Sequence, residues 1–346
     1  MCNIAGYNGT KRAAPILIDM IKKQENIDGG LSTGIATIHS GKLYYAKVLG
    51  NADELIKKTD ALNLPGTVGI IHSRPDDDFF VNAHPFIAEN EKTALIENGN
   101  VFRDERLIKI RDDIINTLLD DGVDFYSAKV TDRIGGNPVL PDGRCVSYDD
   151  VYARYIEYLR KNYTTDYMKA MTKASTDMFS DSVYLLLSAN SPDNIYVSRM
   201  TRPMNIMKTD DGCYLSTCQL AFPDTCNAKY IKSLPQMKTC CITKDGFTVS
   251  DEDIGNATVV DYTEEEYENF KNEIRKKLES GPVPMDGMGG GIFVRNTSPE
   301  MVHPNVKATY DALWEFKKEG VLKTIEKDHE LSWMKGRILK RTFFYI

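Results

Sequence analysis

The sequence has few of the residues that build metal centres or disulfide frameworks. Its 346 residues include five histidines and seven cysteines, and no two cysteines form a C-x-x-C pair. A zinc site or any other metal centre is therefore not predicted. An odd number of cysteines in a long chain is typical of a reducing compartment, which predicts a cytoplasmic location.

Long apolar runs and an excess of positive charge are also absent. No stretch approaches the roughly 18 apolar residues that span a bilayer, and MCNIAGYNGTKR at the start lacks the pattern of a secretory signal. Lys and Arg number 43 against 50 Asp and Glu, which gives a net charge of −7. This balance excludes a globally basic nucleic-acid binder and gives no electrostatic reason to expect membrane binding.

The first 230 residues or so read as many short strands with helices between them. Strands are predicted at 34–39 and 43–48, joined by the hairpin signal Ser40-Gly41-Lys42. Helical periodicity appears at 13–24 and 148–160, among other segments. Antiparallel-looking strands framed by helices favour a layered α+β or α/β domain over a parallel βαβ series.

The last part of the chain has a different pattern, with more charge and more helical periodicity. Thr263 and Glu266 match a capping box that opens a highly charged helix. The glycine-rich stretch at 287–291 lacks the Lys-Ser/Thr of a P-loop, so no nucleotide or other cofactor is predicted. With an amphipathic helix over 304–319, residues 256–346 are interpreted as a small, mostly helical accessory domain.

Cys2 directly follows the initiator Met, and a residue this small permits Met removal. The thiol would then lie on the N-terminal residue, beside a free α-amine with a pKa near 7.7–8.0. Such an amine can accept the thiol proton, so one residue supplies both nucleophile and base. Taken alone, a cysteine at position 2 is better explained by chance, because a single residue is weak evidence.

Five segments of the sequence, taken together, favour a functional role for Cys2 over chance. They are MCNIAGYNG at the start, DGGLSTGIA at 28–36, GIIHSR at 69–74, NAHPF at 82–86 and ENGN at 97–100. In order and spacing they resemble the M-C-G-I-x-G, D-S-x-G-I-A, H-T-R, N-A-H-P and H-N-G motifs of class II (N-terminal nucleophile) glutamine amidotransferases. The closest likeness is to the glutaminase domain of glucosamine-6-phosphate synthases and to stand-alone relatives. The resemblance covers roughly residues 1–235 and implies a four-layer αββα sandwich.

The resemblance implies a role for each matched residue. Cys2 corresponds to the nucleophile that attacks the glutamine side-chain amide and forms a γ-glutamyl thioester. Arg74 corresponds to the arginine that holds the substrate α-carboxylate, a task suited to a planar bidentate donor. Asn98 and Gly99 correspond to the oxyanion hole, although Asn-Gly is also the strongest signal for a hairpin turn.

Two further positions are assigned by the same resemblance. The family holds the substrate amine with an Asp in a T-D-T-E segment. Thr131-Asp132 matches this segment in residue types, and Asp149 matches it in position along the chain. Asp132 is preferred. His84 is assigned to the entrance of the substrate site. A structural role is favoured for His72 and His84 alike, because the nucleophile of this family needs no histidine base.

Three departures from the family pattern bear on the substrate. Asn3 stands where the synthases have Gly, and Asp28 occupies the approximate place of an arginine. Arg74 is followed by Asp76-Asp77-Asp78, where the family usually reads R-W-A-T-H-G. Three carboxylates would repel a substrate carboxylate unless they point outward.

The predicted function is cysteine-dependent hydrolysis of glutamine, with ammonia passed to a partner synthase subunit or an unknown acceptor. Two alternatives stay open. One is an amidase of the same mechanism on another amide, favoured by Asp76–Asp78. The other is a non-catalytic sensor or assembly subunit, which the retained Cys2, Arg74 and Asn98-Gly99 argue against. Neither nucleic acid nor membrane is a predicted partner, and the oligomeric state is left open.

Overall fold

The computed structural model describes residues 2–75, 80–100, 105–129, 137–224, 227–255, 258–259, 262–288, 301–302, 305–330 and 336–346. Asp76–Asp78 and Asp132, together with most of the glycine-rich stretch at 287–291, lie outside the described residues. The roles of these residues therefore stay predictions.

The described residues form eighteen strands and eight α-helices. The strands are β1 Asn3–Gly9, β2 Ser32–His39, β3 Lys42–Leu49, β4 Val68–Arg74, β5 Phe86–Ala88, β6 Thr93–Asn100, β7 Asp181–Ser188, β8 Ile195–Arg199, β9 Asn205–Thr209, β10 Gly212–Ser216, β11 Tyr230–Ser233, β12 Lys238–Thr243, β13 Gly246–Asp253, β14 Thr258–Val259, β15 Val283–Pro284, β16 Met301–Val302, β17 Lys323–Glu330 and β18 Ile338–Tyr345. The helices are α1 Ala13–Asp28, α2 Ala52–Lys58, α3 Glu105–Asp120, α4 Tyr148–Asn162, α5 Tyr167–Asp177, α6 Glu264–Glu279, α7 Met285–Met288 and α8 Asn305–Lys318. Within the described part of the chain, none of these helices has the length and apolar character to cross a bilayer.

Two antiparallel sheets contain most of the strands. One has seven strands in the order β11-β9-β10-β1-β4-β2-β3, and the other has six in the order β13-β12-β8-β7-β6-β5. Each pairing in both sheets is antiparallel. The α+β prediction is therefore confirmed, and β1, which follows Cys2, lies in the middle of the seven-stranded sheet.

Buried side chains fill the space between the two sheets and the space outside each of them. The layer between the sheets, called here the inter-sheet layer, includes Ile4, Ile70 and Ile96. Helices α1 and α2 pack on the seven-stranded sheet through residues such as Leu17. Helices α3, α4 and α5 pack on the six-stranded sheet through residues such as Tyr152.

Elements with strong local signals lie close to where the sequence predicts them. Strands β2 and β3 are joined through Ser40 and Gly41, whose φ angles are 50° and 69°. Such angles are common for glycine, which explains the hairpin signal. Thr263 and Glu266 form the predicted capping box at the start of α6, with both reciprocal hydrogen bonds present.

The C-terminal elements have a core of their own and dock against the end of α1. Phe270 of α6, Leu313 of α8 and Phe344 of β18 belong to a buried cluster that also contains Ile27 of α1 and Cys218. Strands β17 and β18 form a long hairpin, to which β15 adds a short third strand. The assignment of residues 256–346 as an accessory domain stays a prediction.

Candidate active site

Cys2, Arg74 and Asn98 lie at positions of the two facing sheets whose side chains are directed toward the inter-sheet layer. Cys2 directly precedes β1, Arg74 ends β4, and Asn98 lies in β6. Side chains alternate between the faces of a strand. Each of the three residues lies two or four positions from an isoleucine of that layer and so shares its face. Because Asn3 pairs with Ser73, the same register continued by one residue sets Cys2 opposite Arg74.

The thiol of Cys2 is half-buried. Burial raises its pKa to about 12, Glu97 adds to the rise, and the charge of Arg74 opposes it. The thiol is therefore protonated near neutral pH and needs a base before it can attack an amide.

Arg74 ends β4 and reaches the loop that leads into β5. Its Nη1 donates a hydrogen bond of 3.1 Å to the carbonyl oxygen of Asn82. Its charge also opposes the rise that burial causes in the pKa values of Cys2 and Asp149. A guanidinium close to both the thiol and a carboxyl group is well placed to hold an anionic group beside the thiol.

Asn98 and Gly99 lie inside β6, where they pair with Val183 and Ser182 of β7. The hairpin-turn interpretation of this dipeptide is therefore wrong. Asn98 is 1% exposed, and neither its Oδ1 nor its Nδ2 has a hydrogen-bond partner among the described residues. Leaving a buried amide unpaired costs free energy, so the side chain is available to a group that the described residues do not supply.

Two glycines permit close approaches around this site. A Cβ at position 99 would lie 2.2 Å from the carbonyl oxygen of Asp181 and 2.4 Å from Oε1 of Glu97. A Cβ at position 34 would lie 2.1 Å from the carbonyl oxygen of His84. Gly99 thus makes room for the Glu97 carboxyl group, and Gly34 lets the chain that carries His84 cross over β2.

His72 and His84 stack with their ring centroids 4.0 Å apart. Burial lowers the pKa of both rings, and nearby positive charge lowers it further, so both are neutral near pH 7. Stacking is consistent with the structural role predicted for them. His84 also lines the site, because its Nε2 is 3.3 Å from Oδ2 of Asp149.

His84, Glu97 and Asp149 form a tight cluster, with one nitrogen or oxygen of each within 4.8 Å of the others. Burial, and then Asp149, raises the pKa of Glu97 well above its ordinary range. Burial also raises the pKa of Asp149 to about 7. The two carboxyl groups therefore need either a proton or a cation between them.

Glu97 was missed by the sequence analysis. The feature that could have identified Glu97 is its position directly before Asn98-Gly99, where the glutamine amidotransferase motif has a histidine. Asp149, the alternative match for the amine anchor, lies in this cluster at the start of α4, whereas Asp132 lies outside the described residues.

The same cluster has the donor set of a metal site. Among the described residues, His84, Glu97 and Asp149 are the group of three such side chains close enough to share an ion. One imidazole nitrogen and two carboxylate oxygens suit a divalent transition metal. The ammonium group of a substrate would satisfy the same two carboxyl groups.

Known proteins resemble this chain in sequence over part of its length. The glutamine–fructose-6-phosphate aminotransferase (isomerizing) of Pyrococcus horikoshii is 26% identical over 260 residues, which are 72% of this chain and 38% of that protein. The protein of the same name from Chlamydia abortus is 35% identical over 130 residues, or 37% of this chain and 20% of that protein. The chain spans less than two-fifths of the length of these curated relatives. No family model matches it.

Solved structures resemble it in fold. The glutamine phosphoribosylpyrophosphate amidotransferase from B. subtilis has a TM-score of 0.58 at 16% identity, over 83% of this chain and 55% of that one. A structure described as the allosteric regulatory enzyme of purine biosynthesis also has a TM-score of 0.58, at 15% identity, over 80% of this chain and 56% of that one. In sequence motifs and in fold, the chain is similar to the class II (N-terminal nucleophile) glutamine amidotransferases.

Proposed function

We propose that this protein hydrolyses the side-chain amide of glutamine through Cys2 and releases ammonia to an acceptor. The observation that carries the proposal is the common orientation toward the inter-sheet layer of Cys2, directly before β1, Arg74 of β4 and Asn98 of β6. A thiol, a guanidinium and an unpaired amide are the nucleophile, the carboxylate binder and the oxyanion donor that the reaction needs. The sequence relatives are named for an amino transfer from glutamine.

The reaction requires that Met1 is removed, so that Cys2 carries the free α-amine. The amine takes the thiol proton, and the thiolate attacks the amide carbon of the substrate. The Nδ2 of Asn98 and the backbone N–H of Gly99 donate to the oxyanion that forms. The α-ammonium of Cys2 returns the proton to the departing nitrogen, so that collapse of the intermediate expels ammonia and leaves a γ-glutamyl thioester. Water then hydrolyses the thioester to glutamate and free thiol.

Charge complementarity assigns the two ends of the substrate. Arg74 binds the α-carboxylate. Asp149 and Glu97 bind the α-ammonium, which supplies the positive charge that two adjacent buried carboxyl groups lack. His84 forms the wall of this pocket through its contact with Asp149. In this proposal Asp149 takes the anchoring role for which Asp132 was the preferred match.

The second carboxyl group also favours a second candidate, an amidase whose substrate carries more positive charge than glutamine. In that case Glu97 recognises an additional amine on the substrate. The variant Glu97→Gln separates the two readings. If Glu97 recognises an additional amine, the variant should weaken hydrolysis of a cationic amide far more than hydrolysis of glutamine. If Glu97 shares the α-ammonium of glutamine with Asp149, it should weaken hydrolysis of glutamine as strongly.

We further infer that the layers follow the order α-β-β-α, with α1 and α2 outside one sheet and α3 to α5 outside the other. The three buried clusters described above support this order. We also propose that a partner synthase accepts the ammonia, that the protein is cytoplasmic, and that residues 256–346 have an accessory role.

The test combines intact-mass analysis with glutamate release from glutamine. Mature protein should begin at Cys2 and produce glutamate, Cys2→Ala should produce none, and Asp149→Asn should raise the KM for glutamine. Cys241→Ala is the matched control, because Cys241 is also half-buried and should be dispensable. Active protein that retains Met1, or no glutamate from processed wild type even with cell extract as a source of partner, would overturn the proposal.

A further inference from the structure

The carbonyl groups at the end of helix α1 are bound by side chains from distant parts of the chain. A helix leaves its last carbonyl groups without internal donors, and α1 has no basic residue in its last turn. The Nδ2 of Asn3 donates to the carbonyl oxygen of Gln24 at 3.0 Å and also to that of Asp28. The residue next to Cys2 is therefore fixed to the end of α1.

The second donor is Arg341, which comes from β18 of the C-terminal hairpin. Its Nη1 donates to the carbonyl oxygen of Glu25 at 3.1 Å and to that of Gly29 at 2.8 Å. Arg341 is 3% exposed, and its other terminal nitrogen, Nη2, has no partner among the described residues. A buried guanidinium is expensive to place, so hairpin docking alone is a weak reason for an arginine here.

We propose that Arg341 is a positioning residue for Cys2. It holds the end of α1, and α1 holds Asn3, whose backbone continues directly into the nucleophile. The C-terminal hairpin is thereby a structural part of the candidate active site and not merely attached to the same chain.

Electrostatics link the same residues. Burial lowers the pKa of Arg341, and Asp28 opposes that effect, so the Asp28 carboxyl group lies near the guanidinium. Asp28 also adds to the rise in the pKa of the Cys2 thiol, after burial and Glu97 and against Arg74. Without the guanidinium, the charge of Asp28 would oppose the thiolate more strongly.

A matched control exists within the same interface. The Nδ2 of Asn26 donates to Oε1 of Glu326 at 2.7 Å, which also joins α1 to the hairpin. This contact is exposed and involves no carbonyl group of the helix end. Glu326→Ala therefore weakens docking and leaves the hydrogen bonds of Arg341 in place.

The experiment measures the alkylation rate of Cys2 by iodoacetamide between pH 6 and 9, resolved by peptide mass, in the full-length chain. Arg341→Gln should slow alkylation at least tenfold at pH 7.5 and shift the pH–rate profile to higher pH. Arg341→Lys should recover part of the rate. Glu326→Ala should stay within twofold of wild type with an unchanged profile. Thermal unfolding confirms that each variant is folded.

A wild-type alkylation rate and profile in folded Arg341→Gln, with only a lower Tm, would overturn the proposal. If that variant does not fold, Asn3→Ala tests the other end of the same link, and a wild-type rate there overturns it equally. The inference takes Cys2 as the nucleophile of the proposed function. Because alkylation is measured without glutamine, failure of the positioning role and failure of glutamine hydrolysis give separate results.

Discussion

Single residues define this site mainly through polar groups that the fold does not pair with one another. The amide of Asn98 has no partner among the described residues, and buried Glu97 and partly buried Asp149 have carboxyl oxygens within 4.8 Å of each other. Folding alone gives no reason to keep such groups, since each one costs stability. A ligand with a developing negative charge at one end and an ammonium at the other would satisfy all of them.

Asn98→Ala separates catalysis from stability. Loss of an oxyanion donor should lower kcat by roughly 10²–10³ with little change in KM. The Tm should change little, because the substitution breaks no hydrogen bond within the described protein. Steady-state glutamate release and thermal unfolding on the same preparation measure both. A variant with wild-type kcat, or one that fails to fold, would assign Asn98 a purely structural role.

Asp149→Asn should change the pH dependence of stability. The carboxyl pKa rises from its ordinary 3.8 to about 7 in the folded protein, mainly because of burial. The folded chain thus keeps a proton that the unfolded chain releases, so this group lowers stability as the pH rises from about 4 to 7. Relative to wild type, the variant should gain stability across that window, at most about 1.4 kcal/mol per pH unit, and no further above it. Urea unfolding at several pH values measures the gain; parallel curves would contradict the raised pKa.

At the scale of elements, the β2–β3 hairpin supports the segment that carries His84. Gly34 of β2 admits the carbonyl group of His84. Lys47 of β3 donates a hydrogen bond of 2.9 Å to the carbonyl oxygen of Ala83. Its amine also lies 5.0 Å from the ring centre of Tyr126. One hairpin therefore fixes the wall of the proposed substrate pocket through its backbone spacing and one partly buried amine.

Gly34→Ala tests this support against a control on the same hairpin. The new methyl group would clash with the carbonyl oxygen of His84, so the segment must shift and kcat/KM should fall at least tenfold, the loss that a misplaced pocket wall implies. Gly41→Ala at the hairpin tip has open space around it but a φ of 69°, so it should cost about 1–2 kcal/mol and leave kcat/KM unchanged. Equal kinetic losses in both variants would show that general destabilisation, and not the position of His84, controls activity.

At the scale of the whole molecule, the sequence predicted the features that depend on residues close together in the chain. The capping box at Thr263 and the hairpin at Gly41 depend on residues a few positions apart, and both are found. The carboxyl cluster is different, because Glu97 and Asp149 meet only after two sheets and a helix have packed. The contact of Arg341 with Glu25 joins residues 316 positions apart. No periodicity or spacing encodes such a pair.

The molecule should also unfold as one cooperative unit, although its C-terminal part looks separate in sequence. Leu313 of α8 is fully buried in a cluster that contains Ile27 of α1, so Leu313→Ala should cost about 2–5 kcal/mol. Ile338 of β18 is 65% exposed, and Ile338→Ala should stay within about 0.5 kcal/mol of wild type.

Because the damaged core is continuous with the helix that holds Asn3, loss of the C-terminal elements should loosen the nucleophile at the same time. Urea unfolding of Leu313→Ala should therefore give one transition, with far-UV circular dichroism and Cys2 alkylation changing together at a lower midpoint. An early transition in circular dichroism, with the alkylation rate of Cys2 unchanged until a later one, would mean that the two parts fold independently. In that case the hairpin could not hold the active site, and residues 256–346 would be a domain in their own right.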